Sequence, residues 1–81
     1  MRIRILFFAS LQDRAGTREE VLDLPAGADV AAAWEAAVAR HPALAEVRAR
    51  PAAACDMTYA AWTASLDGVA EVAFLPAVSG G

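Results

Sequence analysis

Hydrophobic and polar residues alternate from the first positions of the chain. Over residues 2–9, Ile3, Ile5, Phe7 and Ala9 fall on one face of an extended strand, and Arg2, Arg4, Leu6 and Phe8 on the other. The first set is the core set, because its opposite carries both arginines. Phe8 then stands on a partly polar face and marks a contact surface, unless a neighbouring loop covers it. Ser10 to Gly16 is polar and ends in Ala15-Gly16, which predicts a loop with a glycine turn. Residues 17–24 predict a second strand, best over Glu20 to Leu24. Two strands this close pair most simply as an antiparallel hairpin, and Pro25-Ala26-Gly27 stops the second one.

Asp29 stands at an N-cap position, and a helix follows over Val30 to Arg40. Val30, Ala33, Trp34, Ala37 and Val38 repeat at helical spacing and predict one buried stripe. Arg40 and His41 suit the negative end of the helix dipole, and Pro42 stops it. Residues 43–50 predict a short second helix ended by Pro51. Ala54 to Ala60 predicts a third strand with Cys55, Met57 and Tyr59 on one side. Trp62 to Ala70 is a loop containing Asp67-Gly68. Glu71 to Leu75 is the last strand, with Val72 and Phe74 on one face and Glu71, Ala73 and Leu75 on the other.

One amphipathic helix covers one face of a small sheet, so the expected class is a two-layer α+β domain. The most continuous apolar runs lie in the first and last strands, as central strands require. As neighbours they run parallel, with the hairpin and helix as the crossover. That architecture is the β-grasp: a mixed sheet of four to five strands with one main helix on one face. Phe8 and Leu75 fall on the uncovered face by parity.

Composition narrows the function classes. Eighty-one residues make one domain, and although 58% are hydrophobic, many of these are alanine, so the core is modest. No run is long enough for a membrane span, and no signal-peptide region precedes the first strand. One cysteine rules out an internal disulfide and fits a reducing compartment. A net charge of −3 without a basic cluster argues against nucleic acid. A soluble, cytoplasmic protein is expected. The side chains hold no evident catalytic set or metal site: His41 has no acid or nucleophile beside it, Trp34 reads as core, and Cys55 lies in a strand without a neighbouring base.

The candidate chemistry lies at residues 77–81, beyond an expected folded domain of residues 1–76. Pro76 ends regular pairing, and Ala77-Val78-Ser79-Gly80-Gly81 follows. Two glycines make a thin tip that takes backbone angles closed to other residues. Such a tip threads a narrow channel and presents a carboxyl group to another protein. The competing expectation is a frayed terminus.

Three segments carry a resemblance. Arg4 through Gly16, the helix entry Gly27-Ala28-Asp29-Val30 with its close at Arg40-His41-Pro42, and above all Glu71 through Gly81 resemble the small subunit of molybdopterin synthase, a ubiquitin-like sulfur carrier. The chain departs from that pattern at Ala77, where a second proline is usual, in the turn at Asp67-Gly68-Val69-Ala70, and at Asp56, where asparagine is usual. The resemblance implies that a ubiquitin-activating-type adenylyltransferase uses ATP to adenylate the Gly81 carboxyl. A sulfur donor protein then converts it to a thiocarboxylate. The large synthase subunit, in a heterotetramer with two copies of each subunit, uses that sulfur to build the molybdopterin dithiolene on cyclic pyranopterin monophosphate. In that reading Gly81 carries the reacting carbon and Gly80 lets the pocket close on backbone alone. Pro76, Val78 and Ser79 are gripped by the channel, and Phe8, Tyr59 and Leu75 anchor the partner. The chain itself binds no cofactor or metal. Alternatives are a sulfur carrier for a thiamine-type pathway, a ubiquitin-like protein modifier, and an interaction domain with an idle tail.

Overall fold

A computed structural model describes residues 1–77; Val78, Ser79, Gly80 and Gly81 lie outside the described residues. The elements run β1 (Arg2–Phe7), α1 (Ser10–Ala15), β2 (Glu19–Asp23), α2 (Val30–Arg40), a 3₁₀ turn (Pro42–Glu46), β3 (Ala52–Cys55), β4 (Thr58–Ala60) and β5 (Glu71–Leu75). The five strands form one sheet in the order β2-β1-β5-β3-β4. β1 and β5 are parallel, with Ile5 beside Val72 and Phe7 beside Phe74, and the other neighbours are antiparallel. This is the expected β-grasp, with α2 packed on one face.

Ile3, Ile5, Phe7, Val72 and Phe74 point into that covered face and are buried, as the period of two requires. Val30, Ala33 and Ala37 meet them from α2, and Trp34 and Val38 flank the contact half-buried. The Asp29 carboxylate accepts from the Ala32 amide at 2.9 Å and caps the helix, as expected. Leu11, Leu44 and Leu66 close the remaining sides of the core. Trp34 and Trp62 both lie against Phe74, with ring centroids 5.0 and 5.9 Å away, and Arg50 stacks on Trp62.

Four local expectations are corrected. Ser10 to Gly16 is not a loop but contains the helix α1: Leu11 and Ala15, four residues apart, are buried on one side of it while its polar residues face outward. Gly16, at φ 75°, closes that helix by donating to the Gln12 carbonyl. The expected helix over residues 43–50 is only the 3₁₀ turn Pro42–Glu46. Ala9 is not on the core face, because β1 ends at Phe7 and Ala9 is exposed at φ 51°, ψ −127°.

The expected strand Ala54–Ala60 is a hairpin rather than one strand. Asp56 (φ 47°) and Met57 (φ 72°) form its two-residue turn, and Cys55 pairs with Thr58. The turn reverses the parity on which the single strand relied. Cys55 therefore points toward the core side, whereas Tyr59, opposite Ala54, is on the open face. The Asp56 carboxylate accepts from the Ala70 and Glu71 amides at 3.1 and 3.0 Å, and its own amide donates to the Glu71 carbonyl. One aspartate thus ties the hairpin to the start of β5, and the turn at Asp67-Gly68 delivers the chain to that point.

Two stability outcomes are expected in urea denaturation. Phe74→Ala should cost about 3–5 kcal/mol, because it empties the contact of both tryptophans and the central strand pair. Ala9→Gly should gain about 1 kcal/mol, since glycine takes this backbone conformation without the strain alanine carries.

Candidate docking face and tail exit

The uncovered face of the sheet divides into a charged half and an apolar half, and register explains both. On the charged side Arg4 is paired with Glu71 of β5 and lies 3.6 Å from Glu19 of β2, and Arg2 lies 3.8 Å from Asp23. The hydrogen bond that Arg4 donates to the Glu71 carboxylate, then the Glu71 charge, pushes the Arg4 guanidinium above its ordinary value. These pairs are worth little individually, but each charge in them has an opposite partner on a neighbouring strand, Arg4 being shared by two carboxylates.

The apolar half follows one row across the sheet. Leu6 lies beside Ala73, Ala73 beside Ala54, and Ala54 beside Tyr59. The two alanines make a low floor between larger neighbours, and the result is a shallow depression of about 420 Å³. Leu6 and Phe8 form one wall, Met57 and Tyr59 the other, and Leu75 closes the end. Phe8 is 45% exposed, Tyr59 75% and Met57 90%, a concentration of apolar surface uncommon on a small domain without a partner.

Three of the anticipated partner residues, Phe8, Tyr59 and Leu75, are therefore brought to one depression. Pro76 is not part of it. With Ala77 it borders a second groove around the edge of the sheet, lined by Leu11, Arg14, Val47, Arg48 and Pro51. The chain thus passes from the first depression at Leu75 to the second groove at Pro76 and Ala77. Val78, Ser79, Gly80 and Gly81 lie outside the described residues. Met57 was missed from sequence because its prominence depends on the turn, and turn positions with positive φ usually hold glycine or asparagine. The pair Asp56-Met57 gives little turn signal.

The interior holds no reacting constellation among the described residues. His41 Nε2 lies 3.0 Å from both carboxylate oxygens of Glu20, which also accepts from Arg40, and the histidine ring packs edge-on to Phe7. This ties the end of α2 to β2. Burial, then the Asp56 charge, pushes the Cys55 thiol up, which disfavours the nucleophilic thiolate. No group of three or more metal-ligating side chains occurs among the described residues, and no helix there is long and apolar enough to cross a membrane.

Known proteins share this architecture over almost their whole length. The model of the ThiS family matches residues 5–81. The crystal structure of small archaeal modifier protein 1 from Haloferax volcanii is similar with a TM-score of 0.86 and 29% identity, covering 100% of each chain. A Pyrococcus furiosus protein provisionally named molybdopterin converting factor, subunit 1, gives a TM-score of 0.81 and 25% identity, over 96% of this chain and 99% of that one. Small archaeal modifier protein 1 from Methanosarcina acetivorans, at 20% identity and a TM-score of 0.70 over 99% of this chain and 96% of that one, shares the fold. The chain belongs to the ThiS family, and it is a ubiquitin-like carrier of the kind that bears sulfur or modifies proteins.

Proposed function

We propose that this protein is the sulfur-carrying small subunit of a molybdopterin synthase. The observation that carries the reading is the placement of a largely apolar depression along the open face of β5, from Glu71 to Leu75, where the chain leaves the sheet toward Gly81. The resemblance of Glu71 through Gly81 to that subunit, and the 25% identity with the Pyrococcus protein, support it.

In this reading the folded body is a handle and the Gly81 carboxylate is the reagent. A carboxylate is a poor electrophile because its oxygen leaves badly. A ubiquitin-activating-type adenylyltransferase corrects this by transferring AMP from ATP to the Gly81 carboxyl, with pyrophosphate released. A persulfide from a sulfur donor protein then attacks the carbonyl carbon and AMP departs. A second thiol then attacks the donor-protein sulfur of the resulting acyl disulfide, so that the thiocarboxylate leaves and the two thiols are joined as a disulfide. That group is a soft nucleophile and gives its sulfur to cyclic pyranopterin monophosphate in the large subunit. Phe8, Tyr59, Leu75 and Met57 seat against the partner while Pro76, Val78, Ser79 and Gly80 enter its channel. The chain supplies no acid, base, metal or cofactor; ATP is consumed by the activating enzyme, in the cytoplasm, and two copies of each subunit make the synthase.

A second reading, a protein modifier joined to lysines of other proteins, is favoured by the 29% identity to the Haloferax modifier. Both readings use the same activated carboxyl and differ in what receives it.

Co-expression with an activating enzyme and weighing the intact protein tests the proposal: oxygen-for-sulfur exchange at Gly81 is expected. Lysine-linked adducts in extract, with no thiocarboxylate, would favour the modifier instead. Deleting Gly81 should abolish cofactor synthesis while leaving thermal stability unchanged. Phe8→Ala and Tyr59→Ala should each weaken the large-subunit complex by about 1–2 kcal/mol, roughly tenfold in Kd, with an unaltered circular dichroism spectrum.

A further inference from the structure

The chain's own nucleophiles decide what an activated carboxyl at residue 81 meets in a neighbouring copy. None of the 81 residues is lysine; all seven basic positions are arginine. A guanidinium stays protonated at neutral pH and has no free lone pair with which to attack a carbonyl. The single thiol, Cys55, is half-buried on the core side of β3, where burial and the adjacent Asp56 hold it as the thiol. The single imidazole, His41, is half-buried against the Glu20 carboxylate and the Phe7 ring.

One amine is left, the α-amino group of Met1, and it donates to the Leu24 carbonyl. It also lies at the wrong end of the sheet for its own tail. β1 and β5 run parallel, and the Phe8 amide donates to the Phe74 carbonyl, so β5 ends level with Phe8. The rise of an extended chain puts Met1 about 23 Å back along β1 from that level. Residues 78–81 reach at most about 14 Å from Ala77 even when fully extended.

We infer that this protein is an obligate acyl donor. Its body offers no lysine amine, its thiol and imidazole are half-buried, and its α-amino group is held by the Leu24 carbonyl in every copy. Its hydroxyls are weak nucleophiles beside an amine or thiolate, so the activated Gly81 carboxyl passes to an outside nucleophile, and any conjugate it makes is one unit long. The inference takes from the proposed function only that Gly81 is activated. When an amine is the acceptor, it loses a proton and attacks the Gly81 carbonyl carbon. A C–N bond forms, the C–O bond to the adenylate phosphate breaks, and AMP leaves with the electron pair. No oxidant or reductant is needed. A carrier built this way keeps its activated form at high concentration without coupling to itself, and as a modifier it is a chain terminator.

The test installs the activated end chemically, so it reads out even if no enzyme ever adenylates Gly81. The full chain is prepared as a C-terminal thioester of 2-mercaptoethanesulfonate by intein cleavage, concentrated at mildly alkaline pH, and followed by intact mass and peptide mapping. Slow hydrolysis without carrier-to-carrier linkage is expected, and added hydroxylamine should give a single adduct. Arg2→Lys places an amine on an exposed side chain at the end of the sheet away from the tail, and under the same conditions it should raise carrier-to-carrier linkage roughly tenfold or more, mapped to position 2. Linkage in the parent at Met1, Cys55, His41 or a hydroxyl would overturn the inference. So would an Arg2→Lys chain that couples no more than its parent, because lack of an amine would then not be what keeps the carrier single.

Discussion

Everything in this fold depends on the parallel pairing of β1 with β5. Two parallel neighbours cannot be joined by a tight turn, so the whole intervening chain becomes the crossover. α2 lands on one face of the sheet as a result, and its alanines sit close against Ile5, Phe7, Val72 and Phe74. The same constraint makes both strands finish at one edge. Phe8 and Leu75 thereby become neighbours of the tail exit, although they are far apart in sequence. The geometry that forms the core also builds the docking face.

The two faces of the sheet differ because each strand alternates, and because residue size on the open side varies along one row. Large side chains on the covered side fill the space under α2. On the open side, Ala54 and Ala73 leave a hollow bounded by Leu6, Phe8 and Tyr59. A leucine at either floor position would fill the hollow and flatten the face. The charges around it are committed to internal partners: Arg4 to Glu71 and Glu19, Asp56 to two backbone amides. Less unpaired charge then has to be desolvated when a partner covers the depression.

Sites of backbone strain gather beside this same surface. Ala9 follows Phe8 directly, and Asp56 and Met57 form the hairpin tip opposite it. Strained positions persist where surrounding structure over-determines them. Here the hydrogen bonds of the Asp56 carboxylate and amide to the Ala70–Glu71 segment hold the tip, and the α1 helix immediately following Ala9 fixes the other side. One wall is thus held by the Asp56 hydrogen bonds at the hairpin tip and the other by the helix that follows Ala9, which leaves the apolar side chains of the depression free for a partner.

Much of this could be read from local pattern. The period-two alternation of Ile3, Ile5 and Phe7, the helical stripe behind Asp29, and the parity of Val72 and Phe74 determined the layers, the central strands and the outward direction of Phe8 and Leu75. These features are set by backbone geometry within a few residues, so sequence alone carries them. The helix at Ser10–Ala15, the break at Asp56-Met57 and the prominence of Met57 were decided by tertiary structure. A six-residue helix is too short to be stable alone and forms because Leu11 and Ala15 find the core. The hairpin turn forms although Met57 disfavours positive φ, because the Ala70–Glu71 segment supplies the amide partners of Asp56. Tyr59 reached the open face by a different route from the one its position in a single strand implied, since a two-residue turn resets the parity that alternation assumes.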